Sequence, residues 1–144
     1  MSYDNDILLW SEQQATLLRR FAAGERVNSA AIDWPNVAEE IESVGRTELR
    51  ACASLLRLAM LHAMKARCWP QSREVSHWRS EARSFRRDAI EAFSPSMRQR
   101  LDIAALYRRV LDELPDEIDG ASPLPPPVDC PFTLDELLQE PGRD

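Results

Sequence analysis

The 144-residue chain has little glycine, little cysteine and one lysine, and each scarcity excludes something. Four Gly leave no Gly-rich phosphate loop, which removes the ordinary kinase, GTPase and dinucleotide-binding classes. Cys52, Cys68 and Cys130 are odd in number and lack CxxC spacing, so neither a disulfide framework nor a zinc motif is implied. The most apolar stretch, Leu58 to Met64, is far shorter than the roughly 20 residues a membrane span needs. The opening Met1-Ser-Tyr-Asp-Asn-Asp has no basic n-region. We therefore expect a reduced, cytoplasmic protein that is neither exported nor membrane-embedded.

The length suits one domain, and the balance of 44% apolar to 29% charged residues is that of a globular protein. The net charge of −6 hides a segregation. Residues 1–45 carry −5, residues 46–109 carry +8 and residues 110–144 carry −9. Internal neutralisation is the expected outcome, with a patch for an anionic partner as the alternative. Apart from Lys65 every basic residue is Arg, whose planar fork pairs with carboxylate or phosphate better than an ammonium does.

Ile7, Trp10, Leu17, Leu18 and Phe21 recur at helical spacing between Asp4/Asp6 and Gly24, which predicts a first helix. Asp33-Trp34-Pro35 supplies a cap and an early proline for a second, which then runs without a breaker to about Cys68. At 100° per residue Val37, Ile41, Gly45, Leu49, Cys52, Leu56, Ala59 and Ala63 share its apolar face. From Leu55 to Met64 the wheel is apolar nearly all round, which predicts the heart of the core, and Gly45 predicts close approach of a neighbouring helix. Val75, Trp78, Ala82, Phe85, Ala89 and Ala92 mark a third helix. Ser94-Pro95 reads as the start of a fourth, carrying Met97, Leu101, Ala104, Tyr107, Leu111 and Leu114.

Residues 115–131 contain six Pro, which predicts an extended strap, and Thr133-Leu-Asp-Glu136 has the spacing of a capping box for a short last helix bearing Leu134, Leu137 and Leu138. No strand alternation of useful length appears. The expected fold is all-α: an antiparallel four-helix bundle over residues 1–114, with 115–144 an acidic Pro-rich strap and docking helix of the same domain.

Chemistry-bearing residues are few. Glu39 and Glu42 stand three apart on one helix face, a spacing at which two carboxylates share a cation or act as acid and base. The Glu-x-x-His pattern of di-iron bundles is absent around His62, so no metal and no cofactor is expected. Glu42 with Arg46 makes an ordinary helix ion pair, with Glu39 meeting an Arg from a neighbour. Arg79, Arg83, Arg86 and Arg87 flank the third helix, a candidate phosphate or nucleic-acid row. The acidic net charge opposes nucleic acid, and pairing with the Glu39/Glu42 face is the expected use of that row. His62 and Lys65 lie at the edge of the most apolar half of the second helix, yet no Ser or Cys stands in a nucleophile motif beside them.

Several segments together resemble a known family. Tyr3-x6-Trp10, Glu39-Glu-Ile-Glu-Ser-Val-Gly45, Leu61-His62-x2-Lys65, His77-Trp78 and Cys130-Pro-Phe-Thr-Leu134 are similar, in order and spacing, to the bacterial family described as domain of unknown function twenty-nine. The family usually has Ser-Trp at the fourth of these and Leu at the place of Val44. The resemblance implies an all-α cytoplasmic protein with no assigned activity, and its shared positions nominate Glu39, Glu42, His62, Lys65, Trp78 and Arg86 as places to look. The functional expectation is a non-enzymatic module that binds another protein or a second copy of itself, through its Arg-rich flank or acidic tail. The competing expectation is a polar site between the second and third helices.

Overall fold

Five α-helices account for the regular structure of the computed structural model, which describes residues 2–142: α1 (Ile7–Ala22), α2 (Trp34–Cys68), α3 (Val75–Ala92), α4 (Ile103–Glu113) and α5 (Leu134–Leu137). Single 3-10 turns occupy Ser29–Ala31 and Pro95–Met97. The described residues contain no strand, only an isolated bridge between Ile118 and Ala121. The chain divides into two compact units, Met1–Arg46 and Thr47–Asp144.

In the first unit the Asp6 carboxylate caps α1 by accepting from the Leu9 N–H at 3.0 Å, and Gly24 at φ 80° closes the helix end with the left-handed backbone glycine favours. Trp10 is the buried anchor; Tyr3 meets its ring edge-on at 4.9 Å, and its indole N–H donates to Asp33 at 3.1 Å. Asp33 also accepts from the Asn36 amide at 2.8 Å, while its own backbone N–H donates to Gln14 at 2.8 Å. These bonds tie the entry of α2 to α1.

The second unit holds the larger core. Cys52, Leu56, Met60, Leu61 and Met64 of α2 pack with Ala89 of α3, Met97, Leu106, Tyr107 and Val110, and Leu137 of α5. Ala66, Cys68, Trp69 and Trp78 form a smaller cluster. The all-round apolar stretch of α2 is therefore central, as its pattern predicts.

Three expectations need correction. Ile41 and Val44 are about two-thirds exposed, and no atom comes within 4 Å of where a Gly45 Cβ would stand. Burial of that face of α2 begins at Leu49, and Gly45 serves no close helix approach. The predicted fourth helix is also split. Ser94 makes no side-chain cap, Pro95 opens only a 3-10 turn, and the Arg100 and Leu101 N–H groups both bond to the Met97 carbonyl at 2.9 Å. The helix restarts where the Asp102 carboxylate accepts from the Ala105 N–H at 3.0 Å.

The strap is pinned to the second unit by three hydrogen bonds. The Trp69 indole donates to the Ala121 carbonyl at 2.8 Å, the Leu124 N–H to the Cys68 carbonyl at 2.9 Å, and the Tyr107 hydroxyl to the Pro127 carbonyl at 2.5 Å. Asp119 at φ 51° and Gly120 at φ 77° make the turn between Ile118 and Ala121. Thr133 caps α5 by accepting from the Glu136 N–H at 3.2 Å, the capping-box signal realised in one arm.

Candidate functional site

Most of the polar residues nominated from sequence have partners within their own unit. Glu39 and Glu42 both pair with Arg46 of their own helix, at 2.6 and 3.6 Å, and Glu40 between them accepts the hydroxyl hydrogen bond of Tyr3. That hydrogen bond and the neighbouring carboxylates raise the Tyr3 phenol above its usual range. His62 lies in the part of α2 that belongs to the second unit. Its Nδ1 bonds to the Leu58 carbonyl at 2.8 Å and its ring lies tilted against Phe85 at 5.2 Å, the setting of a structural histidine. The Lys65 ammonium makes no hydrogen bond or ion pair among the described residues. Glu39 and Glu42 in the first unit, and His62 and Arg86 in the second, thus each have structural partners of their own. Among the described residues no three His, Cys, Asp or Glu side chains group as metal ligands.

Two members of the arginine row of α3, Arg86 and Arg87, serve the C-terminal segment. The Arg86 guanidinium donates to the carbonyls of Glu136 at 2.7 Å, Gln139 at 2.9 Å and Leu137 at 3.4 Å, gripping the open carbonyl end of α5. Arg87 pairs with Glu140 at 3.2 Å, and Arg98, beyond the helix, pairs with Asp135 at 2.6 Å. Arg57 of α2 pairs with Glu113 of α4 at 2.5 Å. The basic middle of the chain is thus partly neutralised by its acidic end. Neither aromatic of α3 serves as a stacking platform: Trp78 is buried in the smaller cluster and Phe85 lies against His62.

What the row leaves open is a cleft of about 530 Å³. Its floor is Ala59, Ala63 and Ala66 of α2 with Ala82 of α3, and small side chains at that spacing keep the seam hollow. Arg67, Arg79, Arg83 and Arg86 line it, and Phe132, Glu136 and Leu137 form the tail-side wall. Among the described residues, Arg67, Arg79, Arg83, Arg86 and the Glu136 carboxylate are the charged groups of its lining. Among the described residues neither Arg67 nor Arg79 is paired with a carboxylate. Arg79, Arg83 and Arg86 stand out in the sequence by their spacing; the alanine floor and the contribution of Arg67 and Phe132 do not, because alanine on a helix seam reads as ordinary core.

A second cleft, about 500 Å³, lies between residues 68–73 and 118–124. Cys68 is in its lining, and burial pushes that thiol up, as it does Cys52, so neither is an activated nucleophile.

Among solved structures the chain is similar to an alpha-helical protein of unknown function from Rhodospirillum rubrum, with 30% identity and a TM-score of 0.65 over 97% of this chain and 90% of that one. Among curated proteins none matches. No described helix is long and apolar enough to cross a membrane. The model of one family covers residues 2–141, and the chain accordingly belongs to the family of the domain of unknown function DUF29.

Proposed function

We propose that this protein is a non-enzymatic interaction module whose arginine-lined cleft receives an acidic segment of a partner protein. The carrying observation is that, among the described residues, two of the arginines lining the cleft, Arg67 and Arg79, pair with no carboxylate. Guanidinium groups brought together without matching carboxylates gain most from an incoming anion that accepts paired N–H bonds. An apolar floor beneath them favours a peptide with aliphatic side chains over a bare ion. The three free thiols suit a reducing compartment, so the proposal places the module in a bacterial cytoplasm.

Enzymatic acid/base or phosphoryl chemistry is the weaker reading, since Glu39, Glu42, His62 and Arg86 have separate structural partners. Nucleic-acid binding through Arg79, Arg83, Arg86 and Arg87 is weakened in the same way, with Arg86 and Arg87 occupied by the tail. Fluorescence anisotropy with a labelled peptide of alternating Glu and Leu tests the proposal. Binding that weakens as salt rises and is lost in Arg67→Glu/Arg79→Glu supports it, and equal affinity of that variant overturns it. A labelled single-stranded oligonucleotide that binds more tightly than the peptide favours the nucleic-acid reading instead.

A further inference from the structure

We propose that the second cleft, between residues 68–73 and 118–124, binds a small zwitterion with an apolar side chain, an aliphatic or aromatic α-amino acid, with its carboxylate at Arg73 and its ammonium at Asp119. The site shares no lining residue with the arginine-lined cleft and does not rest on the reading of that cleft.

The walls are braced by the chain itself. Asp119 at φ 51° and Gly120 at φ 77° form a two-residue turn, closed by the Ile118 N–H on the Ala121 carbonyl at 3.0 Å and the Ala121 N–H on the Ile118 carbonyl at 2.9 Å. The Ala121 carbonyl also accepts from the Trp69 indole, and the Cys68 carbonyl from the Leu124 N–H, so this turn is stitched to the chain that leaves α2. On the other side the Ser72 N–H bonds back to the Trp69 carbonyl at 3.1 Å, which fixes the turn that carries Arg73. Two walls held in this way leave about 500 Å³ between them, within the range of small-molecule sites.

The lining matches one ligand chemistry. Trp69, Ile118 and Leu124 are its apolar part, and Leu124 is 55% exposed although its backbone is pinned, so it has apolar surface to bury. Among the described residues, Arg73 and Asp119 are the charged groups of the lining, and neither makes a hydrogen bond or ion pair. Opposite charges that share a cleft without pairing suit a group bearing both signs, whereas a plain anion would meet Asp119 and a plain cation Arg73. An α-amino acid carries both charges on one carbon, and its side chain supplies the apolar surface that Leu124 and Ile118 lack.

Calorimetric titration of L-phenylalanine and L-leucine into the full chain tests the site. Saturable binding is expected, about tenfold weaker for glycine, which has the same charges and no side chain. N-acetyl-L-phenylalanine, without the ammonium, and L-phenylalaninamide, without the carboxylate, should each bind about three- to tenfold more weakly than phenylalanine. Asp119→Asn keeps the turn, since Asn-Gly suits two positive φ values; it should melt as the wild type does and lose the preference for phenylalanine over its N-acetyl form. Arg73→Gln should lose the preference over the amide. No saturable heat with either amino acid, from protein that melts cooperatively, overturns the site. Equal affinity for phenylalanine, its N-acetyl form and its amide overturns the zwitterion assignment, and preferences that survive in both variants overturn the roles given to Arg73 and Asp119.

Discussion

Asp33 shows how much one side chain organises here. It accepts from Asn36 and from the Trp10 indole while its backbone donates to Gln14, and the bond from Asn36 contributes most to holding its carboxyl below the usual range. A carboxyl whose folded value is depressed stabilises the fold above its ordinary unfolded value, near 4, and that contribution disappears as pH falls through the lower folded value. Thermal melts between pH 2 and 6 should therefore show an acid limb in the wild type that is shallower in Asp33→Ala. That variant should also melt lower at pH 7, where the full contribution is present.

The thiols give a second residue-scale prediction. Cys52 is fully buried with its Sγ 3.6 Å from the Ala89 carbonyl and Cys68 is 2% exposed, whereas Cys130 is only half-buried. Iodoacetamide under native conditions should label Cys130 first by mass spectrometry, with Cys52 and Cys68 reacting only under denaturant. Equal native labelling of all three would contradict that burial.

At the scale of elements, the helix ends that were legible were those with a side-chain signal that has no competitor. Asp6, Thr133 and the Trp34 start of α2 could be read directly, because an acceptor one residue before a periodic apolar run has one use. Ser94-Pro95 offered the same signal, its cap position eight residues ahead of Asp102, and both precede apolar residues that reach the core. Only three-dimensional packing decides between them, since Met97 and Leu101 pack in the core ahead of the restart at Asp102. Asp102→Ala should lower stability by about 1 kcal/mol and Ser94→Ala by much less, as read from urea midpoints. Gly45 had the opposite problem: a helical glycine reads as a packing device, but it stands in the open. Gly45→Ala should raise the melting temperature, by up to about 1 kcal/mol of helix propensity.

For the molecule as a whole, the charge blocks were visible in the sequence but their use was not. Counting residues shows a basic middle and an acidic end; it cannot show that Arg87 and Arg98 pair with Glu140 and Asp135. That choice is made by the strap, whose hydrogen bonds to Trp69, Cys68 and Tyr107 fix where the last segment returns. The alanine-floored cleft was likewise illegible, since its wall comes from residues forty or more positions beyond α3.

Removing residues 115–144 should accordingly affect far more than one short helix. Tyr107 and Trp69 would lose the acceptors of their buried donors, each worth about 1–3 kcal/mol when left unsatisfied. The core would lose Leu137, and Arg86 its three carbonyls. Together these approach the few kcal/mol by which a domain of this size exceeds its unfolded state. Circular dichroism on the truncated chain should show a melting transition at least 10 °C lower or none, whereas truncation after Cys130, which keeps all three strap bonds, should give an intermediate value. A truncation at 114 that melts like the full chain would mean the strap lies passively on the surface, and the Tyr107 and Trp69 hydrogen bonds contribute nothing to the fold.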